Sequence, residues 1–303
     1  MTMLAPSRSP AGEVPVGLRR ASLSRRRRVT DAVAKAAIWL CLLVAIVPLG
    51  LVTLYVIIKG AHVMSWDFLT ARIPRQQRTV GGGIGPAIVG TLIITGTAAL
   101  LAIPLGVLGA VYLNEYGKQS TLARTIRTMS DVMTGVPSIV MGLFIYLTVV
   151  LATGEQNGLA GALALACLML PVVIRTSEEM LRLVPDELRQ ASLALGAKQW
   201  RTIVTVVLPA AVSGIMSGAL LAIARAAGET APIVLVVGIT TRANWSLFNS
   251  NTALPAQIFA NASSPYDPAV DRAWGSALTL VVIVLIVTLI GRFVASRFAI
   301  KER

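Results

Sequence analysis

SEEMLRLVPDELRQASLALGAKQWRTIVTVVLPAAV, residues 177–212, lies between two long apolar runs and carries a helical pattern of its own. Pro185 and Asp186 suit a helix start, and Asp186 and Glu187 sit at the positive end of the helix dipole. Leu188, Ala191 and Leu195 recur at helical spacing, while Arg189, Gln190 and Ser192 take the other face. Gly196 stands where a left-handed helix end calls for glycine. A second short helix is expected from Gln199, through Trp200, Ile203 and Val204, to Leu208 and Pro209, where the chain turns into an apolar run. On pattern alone this is an amphipathic loop of the kind that lies on a lipid surface.

The runs around it place the loop. The chain has 303 residues, 55% hydrophobic and 14% charged, with a mean hydropathy of +0.74, which is the composition of a polytopic membrane protein. Apolar segments long enough to cross a bilayer are expected at about 36–58, 86–113, 136–152, 159–174, 210–238 and 273–290, which makes six helices. The third and fourth are short and joined by TGEQNG, so they form an antiparallel hairpin. Before the first helix, LRRASLSRRRRVTDAVAK is too basic to pack, and residues 1–35 read as a disordered cytoplasmic tail held near anionic lipid. The first apolar run has no A-x-A-like site after it and reads as a retained helix.

Charge distribution sets the orientation. The net charge of +13 is not a nucleic-acid footprint, because it gathers in alternate segments. Eight Lys or Arg fall in the tail, three in the loop 114–135, five in the loop 175–209 and four in the end 291–303, twenty of the 27 in all. Six fall in the other connections (Lys59, Arg72, Arg75, Arg78, Arg242 and Arg272), and Arg225 lies in a span. The positive-inside rule then puts both termini in the cytoplasm, with the transmembrane domain covering 36–290. Of the outer segments, 59–85 ends in GGGIGP, which permits tight backbone geometry. Segment 239–272 holds ALPAQIF, an apolar patch expected in the interface with Trp245 and nearby Trp274 as anchors. Residues 121–133, with Leu122, Ile126 and Met129 on one face, read as an interfacial elbow before the third span.

The spacing within 177–212 is specific. Gln190-Ala191-Ser192, Gly196 four residues after Ser192, Val206, and Leu208-Pro209 beginning twelve residues after Gly196 resemble the EAA loop of ATP-binding-cassette importer permeases, though Gln190 and Ser192 depart from the commonest triplet. The resemblance runs from about 81 to 297. GGGIGPAIVGTL, TGVPSIVMGLF, LMLPVVIRTSEEMLRLVPDELRQASLALGA and AIARAAGETAPIVLVVG look like the A-subunit permeases (PstA) of phosphate-specific transport. That resemblance implies an all-α, MetI-like six-helix permease in the bacterial cell membrane, moving inorganic phosphate by alternating access. It implies four partners besides membrane lipid: a C-subunit-like (PstC-like) second permease, two copies of a cytoplasmic ATPase (PstB-like) and an extracytoplasmic phosphate-binding protein (PstS-like). In that family the loop is a coupling helix docked in the ATPase, which assigns ATPase coupling to Gln190, Ala191, Ser192, Gly196, Leu208 and Pro209.

The chain carries no G-x-x-x-x-G-K-[ST] phosphate cradle, GAKQW being the nearest string, so ATP and Mg are expected on the ATPase and this chain is not an enzyme. No metal-ligand cluster is apparent: His62 is alone, and Cys41 and Cys167 fall in apolar runs as packing residues. Within LLAIARAAGETAPIVLVVG, residues 220–238, Arg225 and Glu229 stand in the fifth span, where a charge costs about 3 kcal/mol. An ion pair one helical turn apart accounts for them structurally. The functional reading puts Arg225 on the translocation path, with a guanidinium fork suited to an oxyanion, and has Glu229 hold it in place. Thr230 and Ser138 are placed on the same path, and Pro232, unable to donate to the carbonyl of Gly228, should kink the helix there. Ser138 and Gly142 also form a small-xxx-small packing pair. Two other readings stay open: an importer of sulfate or molybdate, and an ATPase-independent secondary transporter using Arg225 and Glu229 as an ion relay. The loop spacing counts against the second.

Overall fold

The computed structural model describes residues 25–298, and the chain divides into two units, 1–55 and 56–303. Residues 1–24 of the expected tail and 299–303 of the expected C-terminal end lie outside the described residues. In the first unit, helix α1 (Arg25–Val63) begins inside the basic stretch, so residues 25–35 are helical rather than irregular. Arginine, alanine and lysine favour helix, and the Asp31–Lys35 pair at 2.7 Å adds the favourable i,i+4 contact.

The second unit takes up the last turns of α1 and then α2 (Trp66–Thr70), whose first turn is capped by the Ser65 hydroxyl accepting from the Phe68 N–H. There follow α3 (Gly85–Val111), which continues through a π-helical turn at Tyr112–Tyr116, and α4 (Thr121–Gly135). Next come α5 (Ser138–Ile145), a second π-turn at Tyr146–Val150, and α6 (Leu151–Thr153). Then come α7 (Gly158–Arg182), α8 (Asp186–Ala194) and α9 (Gln199–Thr202), which runs through a π-turn at Ile203–Val207 into α10 (Leu208–Ala227). The chain ends with α11 (Ala231–Val236), α12 (Leu254–Ala262) and α13 (Asp267–Phe298).

Five of these stretches are long and apolar enough to cross a membrane, and the bent pair Thr121–Gly135 with Ser138–Thr153 makes a sixth. The six-span reading stands, with several boundaries moved. The elbow is α4, and the 105° bend falls at Val136-Pro137, where Pro137 adopts an extended ψ of 133° and opens α5. The fourth span runs on to Arg182, so 175–182 is helix and not loop. The expected turn at Leu208-Pro209 is absent. Pro209 lacks the N–H that a helix interior needs, and the π-turn directly before it absorbs the missing bond, so Gln199–Ala227 is one continuous helix. The fifth span, expected unbroken to 238, stops at Ala227. Gly228 closes it, and Pro232 in the first turn of α11 starts a new helix, so the kink is a full break.

Small residues set the packing. α3 lies along α7, where Ala98, Ala102, Ala110, Ala160, Ala162 and Ala164 are buried and a Cβ on Gly106 would meet Val173 at 2.6 Å. With no apolar driving force between helices in lipid, such close approach is what binds them. ALPAQIF is not a free surface patch: α12 packs against α13 and α3, with Leu254, Ala256, Gln257 and Asn261 buried and Phe259 left exposed. Its amide side chains are satisfied internally, Gln257 donating to Thr252 Oγ1 and Asn261 to the Gln257 carbonyl, which lets a polar-sided helix enter the core. The loop before α12 is wedged inward, and a Cβ on Gly90 would collide with the Thr252 carbonyl. Beside it, Arg272, 4% exposed, donates to the carbonyls of Gln77, Thr79 and Gly81 and fixes the outer loop that carries Arg72, Arg75 and Arg78.

Candidate functional site

The break at Gly228 opens the bundle. Residues 228–230 are non-helical in the middle of the apolar run expected to form the fifth span, an arrangement tolerated in a membrane where backbone lines a cavity. A cavity of about 200 Å³ lies there. Its wall takes Arg225 and Glu229 from the break, Ser138 from the start of α5, Met133 and Thr134 from the end of α4, and Met169 from α7. Arg225, Glu229 and Ser138 are thus brought together, whereas Thr230 is not on the wall and its hydroxyl faces the Gly228 carbonyl at 3.5 Å.

Glu229 lies beyond the helix end, so it does not share a helix face with Arg225 as the unbroken span required. The ion pair still forms, Arg225 Nε to Glu229 Oε1 at 3.5 Å. It is a loose pair, and the two ends differ: the Arg225 side chain is 68% exposed and the Glu229 side chain 19%. The guanidinium therefore keeps most of its donors free to meet an anion in the cavity, with the carboxylate behind it. Next to the break, a Cβ on Gly142 would stand 2.6 Å from Pro232 Cα, so the small residue expected for packing is where α5 meets α11.

Between Asp186 and Gly196 the expected short helix forms, and the structure decides which of its two faces turns inward. α8 is closed off by Gly196, two residues past its last residue Ala194, with a φ of +83°, the Ala197 N–H returning to the Ser192 carbonyl and the Gly196 N–H to that of Leu193. Leu188, Ala191 and Leu195 point outward and are exposed, Leu195 at 89%. Inward go the polar residues: Ser192 shares a hydrogen bond with buried Thr202, and Arg189 reaches back into the bundle. Gln190 and Ala191 are exposed with the leucines. Leu208 and Pro209 are not part of that surface. Leu208 packs against a core that includes Ala110, Leu181 and Val207, and Pro209 sits in α10.

Two buried carboxylates escaped sequence reasoning. Glu178, 1% exposed, accepts from Arg127 Nε at 2.7 Å and from Arg182 at 2.6 Å. Glu115, 8% exposed, accepts from Arg189 at 3.0 Å and from Asn114 at 2.7 Å. Arg175 pairs with Asp131. Only part of this was readable: RTSEEMLR spaces Arg175, Glu178 and Arg182 at i,i+3 and i,i+4. Among the described residues no group of three or more His, Cys, Asp or Glu is placed to hold a metal ion.

Comparison with known proteins gives matches over most of the chain. The family model described as "Binding-protein-dependent transport system inner membrane component" matches residues 102–300. The phosphate transport system permease protein PstA 1 of Mycobacterium tuberculosis (strain CDC 1551 / Oshkosh) is 44% identical over 285 residues, 91% of this chain and 92% of that one. The phosphate transport system permease protein PstA of Yersinia pestis is 40% identical over 283 residues, 90% of this chain and 94% of its own. Among solved structures, a chain of a bacterial alginate ABC transporter in complex with an alginate-bound periplasmic protein superposes with a TM-score of 0.65 at 13% identity. It covers 90% of this chain and 96% of its own. At that identity the likeness is one of fold.

Proposed function

This chain belongs to the family of binding-protein-dependent transport system inner membrane components, and on that premise we propose that it is the permease subunit of an ATP-driven importer of inorganic phosphate. It is a multi-pass membrane protein and a transport subunit, and the ATPase is a separate chain. The phosphate reading rests on the cavity at the Gly228 break, where an open arginine, a carboxylate and a hydroxyl face one space. A guanidinium fork matches the oxygens of a tetrahedral oxyanion and holds its charge without a metal. Glu229, paired loosely behind Arg225, positions the cation and offsets part of its pull, so that an anion which enters can also leave.

The chain supplies half of a path, completed by a second permease of similar fold. α8 is the surface offered to the ATPase: its Leu188, Ala191 and Leu195 form an apolar face left exposed among the described residues, suited to an apolar groove. Closure of the ATPases around ATP displaces α8, and the bundle rocks between states open to one side and then the other. An extracytoplasmic binding protein delivers phosphate to the outer mouth. The test is reconstitution of this chain with its co-purifying subunits in proteoliposomes with ATP enclosed. Uptake of labelled phosphate that requires both ATP and the binding protein is expected. Uptake of sulfate or molybdate in preference to phosphate, or uptake without ATP, would overturn the reading.

A further inference from the structure

We propose that the buried pairs Arg189–Glu115 and Arg127–Glu178 are a relay that carries displacement of α8 to the wall of the Arg225 cavity, with Arg127 and Arg189 as positioning residues. The proposal rests on the reading of α8 as the ATPase-facing element. The connection can be followed atom by atom. From α8, Arg189 sends Nη2 to Glu115 Oε1 at 3.0 Å and to the Leu181 carbonyl at 2.8 Å, and Nη1 to the Val184 carbonyl at 2.6 Å. Glu115 belongs to the π-turn that ends α3, and the same turn holds the second arginine, because the Leu113 carbonyl accepts from Arg127 Nη2 at 2.8 Å. The Gln199 side chain, at the start of α9, closes on this turn too, donating to the Glu115 carbonyl at 2.9 Å. Arg127 is on α4, and it adds a bond to the Lys118 carbonyl and an ion pair to Glu178 of α7. The last turn of α4 brings Met133 and Thr134 to the cavity wall, just before the bend that leads to Ser138.

Two elements distant in sequence therefore grip one π-turn with one arginine each, and the second element ends at the anion's cavity. The physical chemistry favours a positioning role over a stabilising one. Burying an ion pair costs desolvation that its attraction only repays with full hydrogen bonding, and apolar pairs of equal volume stabilise as well or better. What each arginine supplies here is a fixed fork: three bond directions set by a planar group whose side chain is largely buried, 23% exposed at Arg127 and 13% at Arg189. Such a joint transmits a shift without stretching, while an apolar contact would let the two helices slide.

The test uses the reconstituted transporter and reads phosphate moved per ATP hydrolysed. Wild-type uptake is measured first, and failure of the wild-type complex to import phosphate would sink the functional reading rather than the relay. In the double variant Glu115→Leu, Arg189→Met the complex should assemble and hydrolyse ATP within about twofold of wild type, while phosphate per ATP falls about tenfold or more. Arg127→Lys is the second variant: it keeps the charge beside Glu178 but loses the fork to Leu113 and Lys118, and the same fall is expected with assembly intact. A purely structural role predicts lost assembly or lost ATPase in the double variant and normal coupling in Arg127→Lys. Normal phosphate per ATP in Arg127→Lys, whatever the double variant does, overturns the relay.

Discussion

The Arg225 guanidinium and the Gly196 backbone each support a direct prediction. Exchanging the pair by Arg225→Glu with Glu229→Arg keeps one charge of each sign but moves the cation from the exposed end of α10 to the half-buried side of the break. Losing a charge-assisted bond to the anion costs about 1.5–3 kcal/mol, so uptake should fall roughly 10- to 100-fold while membrane insertion and ATPase assembly persist. Near-normal uptake would mean that the pair is structural. At Gly196 a new Cβ would meet nothing within 4 Å, so Gly196→Val acts through the backbone alone. Valine at φ +83° carries a strain of about 1–2 kcal/mol, enough to unwind the end of α8. Reduced ATPase pull-down and reduced uptake at normal expression are expected, and normal values of both would refute the docking assignment. These residues could be read from sequence because each breaks a local rule, a charge in a span or a glycine at a helix end. The Arg189–Glu115 and Arg127–Glu178 pairs could not. Their partners stand 74 and 51 residues apart, and period alone gives two faces to α8 without saying which one turns inward.

Among the elements, the apolar runs were legible and their ends were not. Charged residues 175–182 look like loop until their internal pairs are counted, and the π-turn before Pro209 hides a continuous helix from a reading that treats proline as a stop. The break at Gly228 was half visible, since Pro232 forecast a kink, but the size of the interruption depends on α5 closing against α11. That contact is testable. Gly142→Ala places a Cβ 2.6 Å from Pro232 Cα, a backbone atom that cannot swing aside, and should cost about 1–3 kcal/mol and lower the thermal midpoint in detergent. Gly96→Ala, in the same kind of helix with nothing within 4 Å of the new atom, should leave the midpoint unchanged or raise it. Equal behaviour of the two variants would show that the α5–α11 contact is not close-packed.

The molecule as a whole follows from six apolar runs and a biased count of basic residues, which is why its topology could be written from the sequence. A cysteine at Lys198 should react only with reagent on the cytoplasmic side and one at Asn249 only from outside; cytoplasmic labelling at 249 would invert the assignment. What no run of letters announced is how the outer end closes. ALPAQIF is apolar enough for an interface, and only the fit of its loop against Gly90 shows it packed against α3 and α13. The amides of Gly158 and Leu159 are given to the carbonyls of Asn249 and Leu247, and that of Leu254 to the hydroxyl of Thr91. At about 1 kcal/mol net for each bond, this seam is worth roughly 3 kcal/mol, a hold small enough for an alternating-access stroke to break. Deuterium from the outer solvent should therefore enter those three amides in step with turnover, and much more slowly when the ATPase is idle.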